Sequence, residues 1–260
     1  MSISSFSSHV MMSLHGDEVH ILIQGMMSQE NPSVISLNIT KDDDIKRLQE
    51  ISSQHFQSSV LTVYSPEKTI VPKSIFNADD KAQYLKFNFG LDGHSDHIKS
   101  DYVRQVDSNL IYSENKNLTD ILKFFPETRI SHVISVLLEA HLRSSIATQS
   151  KQVSVYCHDG HTEIIASDGK NLLFTNGFQV HNPEDYTYYV VYVLDMLGFN
   201  LKESKIRICG NIRADYFDLL KQYCPNAGYH RFEYDLNVGK NLSNKAYAND
   251  VILLNQYQCV

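Results

Sequence analysis

The chain has 260 residues, of which 42% are hydrophobic and 20% are charged, a balance that is typical of globular proteins and excludes general disorder. This length is sufficient for one large domain or for two lobes that each bury a core. The formal net charge of −7, with lysine and arginine scattered along the chain, argues against binding to a nucleic-acid backbone.

Cysteine usage and hydropathy indicate the cellular compartment. The four cysteines are Cys157, Cys209, Cys224 and Cys259, and none forms a C-x-x-C pair typical of zinc or redox sites. The N-terminal segment lacks the basic region and the long apolar stretch of a signal peptide. No run approaches the roughly 18 apolar residues that a membrane helix needs. We therefore expect a cytoplasmic protein with reduced thiols and no membrane span.

The first half of the chain begins with three predicted strands that are followed by alternating helices and strands. Gly16-Asp17 is the turn between the first two strands, and Thr40 or Asp42 is the expected cap of the first helix. The predicted elements are strands over 9–14, 19–24 and 33–39, a helix to about 55, strands over 60–64 and 69–71, helical segments over 72–76 and 79–85, and a closing strand over 102–106 or 109–112.

Two helices are predicted between the halves, over 118–125 and 131–145. The segment RSSIATQSKQ (143–152) follows them, and we expect it to be a loop or flexible link because its polar side chains do not suit a core. His132, near the start of the second helix, is expected to make a capping or inter-lobe hydrogen bond rather than to act in catalysis.

The second half repeats the same pattern. Asp159-Gly160 and Asp168-Gly169 are hairpin turns between strands over 153–158, 162–166 and 171–180. Asn182 caps a helix that ends at Gly198 and is apolar nearly all round, so burial on more than one side is expected; its tyrosines are assigned to packing. A strand over 205–209, a helix over 213–223 and a strand over 229–234 complete the series.

The order β-β-β-α-β-α-β therefore occurs twice. It predicts an α/β protein with two tandem ribonuclease H-like lobes, each a mixed five-stranded sheet flanked by helices. The predicted domains are a first lobe over 1–115, connecting helices and a linker over 116–150, and a second lobe over 151–260. Two such lobes in tandem form the actin-like ATPase architecture.

Several segments carry a family resemblance, above all TIVPKSIF (69–76) and NGFQVHNPEDYTYYVVYVLDMLG (176–198). They resemble an uncharacterised bacterial family catalogued as a domain of unknown function. That family is placed among the actin-like ATPases, near the cell-division protein FtsA and the pilus-assembly protein PilM. The resemblance implies the fold and assigns no activity, since fold does not determine function.

The resemblance also implies where a nucleotide would bind, which is at two Asp-led, Gly-containing hairpin turns and at a strand that ends in a glycine pair. The matching residues are Gly16 in the first turn, Gly160 and Thr162 in the second, and Gly210 after the strand. Three expected residues are missing, because Ser13 and His158 stand where the acids belong and Asn211 replaces the second glycine.

These departures favour a non-catalytic binding or scaffold protein with a protein partner, no catalytic residues and no required cofactor. One alternative is an ATP-binding switch, ATPase or kinase of the same superfamily that uses ATP and Mg²⁺. A second alternative is a small-ligand or metal-binding protein. The clusters CHDGH (157–161) and DGHSDH (92–97) contain metal-ligating residue types, but their spacing favours a hairpin turn and a polar loop, so no metal site is assigned.

Overall fold

The computed structural model describes residues 8–25, 34–90, 97–158, 160–230 and 251–256. The chain divides into two compact units, the first formed by Met1–Leu137 with Ile252–Val260 and the second by Leu138–Val251. The predicted domain boundaries at 1–115, 116–150 and 151–260 stay a prediction.

The first unit is built around a mixed five-stranded sheet. Its elements are β1 Ser8–His15, β2 Glu18–Gly25, β3 Val34–Asn38, α1 Asp42–Ser52, β4 Ser58–Val63, β5 Lys68–Pro72, α2 Lys81–Phe89, β6 Ile98–Val103, β7 Ser108–Ser113, α3 Leu118–Leu122, β8 Arg129–His132 and the start of α4 Val133–Thr148. The sheet order is β3-β2-β1-β4-β8. Strands β1, β2 and β3 pair antiparallel, whereas β4 is parallel to both β1 and β8. The predicted three-strand meander is therefore confirmed.

A second, three-stranded sheet with the order β5-β7-β6 is inserted between β4 and α3. Helix α2 packs on it through Leu85, which lies in a buried cluster with Val71, Ile98 and Ile111. The prediction that 102–106 or 109–112 closes the main sheet is wrong. Strand β7 is paired on both sides, with β5 and β6, so it has no free edge for β4. The closing strand is β8, within a segment predicted to begin a helix.

The second unit has the same sheet order as the first. Its elements are β9 Lys151–His158, β10 His161–Asp168, β11 Asn171–Gln179, α5 Pro183–Met196, β12 Ile206–Gly210, α6 Ala214–Tyr223 and β13 Ala227–Tyr229. The sheet runs β11-β10-β9-β12-β13, with β9, β10 and β11 antiparallel and β9, β12 and β13 parallel. This confirms the predicted order β-β-β-α-β-α-β, although the last strand begins two residues early.

Helix α5 begins as predicted, because Asn182 Oδ1 accepts a hydrogen bond from the Asp185 backbone N–H at 2.7 Å and Pro183 occupies the first turn. Helix α5 packs against both the sheet and α6, as expected for burial on more than one side, but the assignment of all its tyrosines to packing is wrong. Tyr186 is fully buried, but Tyr188 is 62% exposed and Tyr192 is 50% exposed. The helix buries one face against the sheet and α6 and leaves its outer aromatic face in solvent.

The predicted linker at 143–152 is also wrong. Helix α4 continues to Thr148 and β9 begins at Lys151. The polar side chains avoid the cost of burial by hydrogen bonding, because Ser145 is fully buried and donates to the Ser150 carbonyl at 3.0 Å.

A short helix near the C-terminus, α7 Val251–Gln256, completes the described residues. The Gln256 side-chain amide donates to the Met12 carbonyl at 2.7 Å and ties this helix to β1. Among the helices that the structure describes, none is long and apolar enough to cross a membrane.

Candidate functional site

The turn between β1 and β2, here called the first hairpin, contains Gly16 with φ of +58°, a left-handed conformation that favours glycine. The Asn117 side-chain amide, from the segment before α3, donates to the Gly16 carbonyl at 2.8 Å and to the Asp17 carboxylate at 2.7 Å. The first hairpin is therefore held in place by a protein side chain, and the one carboxylate in its turn is already hydrogen bonded.

Ser13, where the resemblance implies an acid, is 1% exposed in the centre of the sheet. Its hydroxyl lies 2.5 Å from Nε2 of His15. A neutral hydroxyl is a poor substitute for a carboxylate in holding hydrated Mg²⁺, which prefers negatively charged oxygen ligands. The first hairpin thus keeps the bend of a phosphate loop without the expected acid.

The turn between β9 and β10, the second hairpin, contains Gly160 with φ of +75°. The carbonyl of Gly160 accepts a hydrogen bond from the Val180 backbone N–H at 2.7 Å, so the turn is tied to the end of β11. His158 precedes the turn, and its ring stacks near Tyr156 with centroids 6.3 Å apart. Asp159 lies outside the described residues.

Gly210 ends β12 with φ of +82°, and its backbone packs directly against β9. A β-carbon at this position would overlap the Cys157 carbonyl oxygen and come within 2.9 Å of the Tyr156 ring. The next residue, Asn211, donates its backbone N–H to the same Cys157 carbonyl at 3.0 Å. Close strand packing therefore accounts for this glycine by itself.

Thr162 and Gly210 are brought together by Cys157, which pairs with Thr162 across β10 and with Gly210 across β12. Gly160 lies two residues before Thr162. The Thr162 side chain is fully buried and shares its surroundings with the Tyr186 hydroxyl. Burial raises the pKa of the Cys157 thiol to about 12, and interactions with Tyr186 and Thr162 lower it only in part. Gly16 belongs to the other unit.

A buried polar network that the sequence analysis missed joins α4 to the five-stranded sheet of the second unit. The His141 ring lies between two hydroxyls, with Nδ1 2.8 Å from Ser154 and Nε2 2.8 Å from Ser167. Ser167 donates its own proton to Ser145, so it accepts from His141 Nε2–H, and Nδ1 accepts from Ser154. Burial, together with the charge of Arg207, lowers the pKa of His141 to about 3, so the ring is neutral.

This network has a signal in the sequence. His141, Ser144, Ser145 and Thr148 recur at the i, i+3, i+4, i+7 spacing of one helix face. The spacing was overlooked because the segment is polar. With no carboxylate in the network and no exposed hydroxyl at its centre, the arrangement stabilises the fold and does not resemble a nucleophilic triad.

A second buried network lies at the start of α4 in the first unit. The Asp101 carboxylate accepts hydrogen bonds from the His132 backbone N–H at 2.6 Å, the Ser135 hydroxyl at 2.7 Å and the Tyr112 hydroxyl at 3.0 Å. Burial raises the pKa of Asp101, and these bonds counteract it. The contact attaches the inserted sheet to the helix N-terminus, where the helix dipole favours a negative charge.

His132 itself caps α4, as expected. Its Nδ1 accepts the Ile134 backbone N–H at 3.0 Å, and its Nε2 lies 3.0 Å from both the backbone nitrogen and the carbonyl oxygen of Ser65. Burial, and then the charge of Lys68, lowers the pKa of His132 well below its usual range. The ring is therefore neutral and is held through both of its nitrogens, which suits a structural role rather than proton transfer.

The two candidate metal clusters lie partly outside the described residues. Residues 91–96 and Asp159 are not described, and His97 contacts the Glu114 carboxylate at 3.0 Å. Within the remaining described ranges, no group of three or more His, Cys, Asp or Glu side chains is arranged to hold a metal ion.

Comparison with protein families identifies the chain. The family model described as "Protein of unknown function (DUF3822)" matches residues 26–227. The chain belongs to this family. The predicted membership in a bacterial family of unknown function is thereby confirmed, and no curated protein matches the DUF3822 chain.

Solved structures confirm the predicted fold class of this DUF3822 protein. A Bacteroides thetaiotaomicron protein described as having an actin-like ATPase fold and unknown function superposes with a TM-score of 0.76 at 16% identity, covering 100% of both chains. The PilM–PilN type IV pilus biogenesis complex matches with a TM-score of 0.54 at 10% identity, covering 95% of this chain and 96% of the other. At these identities the likeness shows the fold alone, so the DUF3822 chain has an actin-like ATPase fold.

Proposed function

We propose that the protein is a non-catalytic binding or scaffold module that keeps the actin-like fold and has lost ATP turnover. The observation that carries the proposal is Ser13, a buried neutral hydroxyl engaged with His15 where the superfamily's metal-holding acid belongs. Without a carboxylate at this position, the first hairpin has no strong ligand for hydrated Mg²⁺, and phosphoryl transfer depends on that ion.

The glycines at the proposed nucleotide positions have other roles that support this proposal. Gly210 allows β12 to approach β9, and Gly16 adopts the left-handed φ of +58° that the turn requires. Retention of these residues is therefore explained by folding and does not require a bound phosphate. Gly160, which is exposed, remains the position at which a nucleotide would bind if binding, without turnover, is retained, whereas the Thr162 side chain is fully buried.

The proposed partner is a protein that docks on the outer face of α5. Tyr188, Tyr192 and Met196 are half or more exposed and follow one another at a spacing of four residues, and exposed apolar side chains in a contiguous row mark interaction surfaces. Tyr188 and Tyr192 stack with ring centroids 5.9 Å apart. One solved structure of similar fold is a complex of PilM with PilN, which supports a role in protein assembly.

The proposed location is the cytoplasm. Cys157, Cys209 and Cys224 are buried and free, and reduced thiols are typical of a reducing compartment. This location also suits a protein whose partner is met inside the cell.

Titration calorimetry and thermal melting with Mg-ATP test the loss of turnover. We expect no ATP hydrolysis, at most weak binding and little change in melting temperature. A ligand that binds well would be detected by melting, because at a hundred times its dissociation constant it stabilises a protein by about 2.7 kcal/mol. Micromolar binding accompanied by steady hydrolysis would overturn the proposal in favour of an ATP-driven switch, ATPase or kinase.

The nucleotide positions have their own variant. If any ATP binding is detected, Gly160→Val should remove it, because a branched side chain in a left-handed turn blocks the backbone approach to phosphate. Gly169→Val, at the other β-hairpin turn of the second unit with φ of +55°, introduces the same strain away from the proposed position. Equal loss in both variants would show that strain, and not the site, is responsible.

A further inference from the structure

A pocket of about 580 Å³ lies within the second unit, at the edge of the sheet where β9 and β12 begin. Its walls come from the end of α4, the start of β9, the loop after α5 and the start of β12. This volume falls within the range of about 300–1,000 Å³ that is usual for small-molecule sites. None of the residues at the proposed nucleotide positions lines it.

The lining is positively charged although the protein is acidic. Three cations, Lys151, Lys205 and Arg207, face one carboxylate, Glu203, which leaves an excess of two positive charges. The C-termini of α4 and α5 border the pocket, and their dipoles together offset about one of these charges. The pocket therefore keeps a net positive charge in a chain whose overall charge is −7.

Arg207 is fixed in position by a neighbouring polar side chain and helix α4. Its Nη1 donates to the Ser144 hydroxyl at 2.9 Å and to the Gln152 side-chain oxygen. Gln152 is only 5% exposed and is held in turn by donating to the Ser144 carbonyl at 3.3 Å. A guanidinium that is ordered in advance loses less entropy when it binds an oxyanion, which strengthens binding.

The two lysines contribute from the rim. Lys151 Nζ lies 5.2 Å from the centre of the Phe199 ring, which orients its ammonium group by a cation–π contact. Lys205 is exposed, and neither lysine forms an ion pair with a residue in the part of the chain that the structure describes. The hydroxyls of Ser150 and Ser204 add hydrogen-bond donors between these charges.

We propose that this pocket binds the phosphate group of a small molecule. A fixed arginine, two lysines and nearby hydroxyls supply the charge-assisted hydrogen bonds that phosphate oxygens accept. The buried Phe199 wall and the volume leave room for the organic part of a phosphate ester. Because β9 and β12 are parallel, this pocket and the Cys157–Gly210 pair lie at opposite ends of the sheet, about 16 Å apart along β9.

The test is titration of the full-length protein with inorganic phosphate and with ribose 5-phosphate, at constant ionic strength set by sodium chloride, followed by calorimetry and by ³¹P NMR. Lys205→Gln removes one exposed charge without touching the Arg207 contacts, so it should fold normally. We expect it to weaken phosphate binding about fivefold, the usual effect of losing one partly exposed charged contact. Lys41→Gln removes an exposed lysine of the first unit that does not line the pocket and should leave binding unchanged.

Tighter binding of ribose 5-phosphate than of inorganic phosphate supports the proposal and identifies a phosphate ester as the ligand class. Equal binding supports a site for free phosphate. Absence of binding by either compound, or equal weakening in Lys205→Gln and Lys41→Gln, would overturn it. Binding of Mg-ATP to the second hairpin should be removed by Gly160→Val and left intact by Lys205→Gln. The phosphate titration and the test of the proposed function can therefore fail independently.

Discussion

The backbone of Gly210 rests against the Cys157 carbonyl so closely that a β-carbon at residue 210 would overlap that oxygen. The contact lies between the parallel strands β9 and β12, at the centre of the five-stranded sheet of the second unit. It explains why β12 ends in glycine, and it means that a motif expected for nucleotide binding is also required by packing.

Gly210→Ala should therefore destabilise the protein by roughly 3–5 kcal/mol, since left-handed strain and overpacking act together. Gly198→Ala is the matched control, because Gly198 also has a positive φ, +67°, but nothing lies within 4 Å of an added β-carbon. It should cost only about 1–2 kcal/mol. Urea unfolding measures both, and equal losses would show that the Cys157 contact is unimportant.

The fold was predictable from the sequence where turn residues mark the boundaries of helices and strands. The second unit was predicted well because Asp-Gly pairs and Asn182-Pro183 mark its element boundaries. Strand β8 was missed because its four residues run directly into α4 with no turn between them. The inserted sheet was misassigned because strand pairing is a tertiary property, and the apolar run over 110–112 does not show which sheet β7 joins.

The candidate sites show the same limit. Hairpin turns follow from local sequence, so the turns at Gly16 and Gly160 were predicted, whereas nucleotide binding at these glycines and at Gly210 stays a prediction. The hydrogen bonds of Asp101 and His141 join residues far apart in sequence, and a single sequence does not show which polar side chains are buried together. The α5 tyrosines illustrate this too, since apolar residues all round a helix do not reveal which face has a neighbour.

Asp101 anchors the inserted sheet to α4, and its removal should be costly. Asp101→Ala leaves the donors on His132, Ser135 and Tyr112 without their acceptor, and hydrogen bonds to a charged group contribute about 1.5–3 kcal/mol each, with partial compensation by water. We expect a loss of roughly 2–4 kcal/mol in urea unfolding. Asp79→Ala, at an exposed site, should change stability by less than about 0.5 kcal/mol.

The protein should lose stability in mild acid because three histidines are buried in the neutral form. Burial lowers the pKa of His141 and His230 to about 3 and that of His132 well below its usual value of 6.5. The unfolded chain therefore binds protons below pH 6.5 while the folded chain does not, and stability falls with pH until the folded values are reached. The slope is about 1.4 kcal/mol per pH unit for each histidine.

Asp101 acts in the opposite direction, because its raised pKa makes the folded state the better proton acceptor at low pH. The histidine effect dominates between pH 6.5 and 5, because three buried histidines act against one carboxyl group. Over this range, the slope of the unfolding free energy against pH should be smaller in His141→Gln than in the wild type by about 1.4 kcal/mol per pH unit. An unchanged slope in that variant would mean that His141 is protonated in the folded protein.

The cysteines should be unreactive in the folded protein. Burial raises the pKa of Cys157 to about 12 and that of Cys224 to about 11, and it also raises the pKa of Cys209. In a Cys259→Ser background at pH 8, we expect negligible native labelling by Ellman's reagent and labelling of all three thiols in guanidinium chloride, where thiols titrate near 8.5. Rapid labelling of the native protein would contradict the burial of these thiols.

The outer and inner faces of α5 should respond differently to substitution. Tyr186 is fully buried, so Tyr186→Ala should cost about 3–5 kcal/mol by leaving a large cavity. The double variant Tyr188→Ser/Tyr192→Ser removes two half-exposed rings and should cost no more than about 1 kcal/mol. If the exposed face binds the protein partner, this stable double variant should lose a complex that the wild type forms in pull-down experiments with identified partners. A severe loss of stability in the double variant would instead assign both tyrosines to packing.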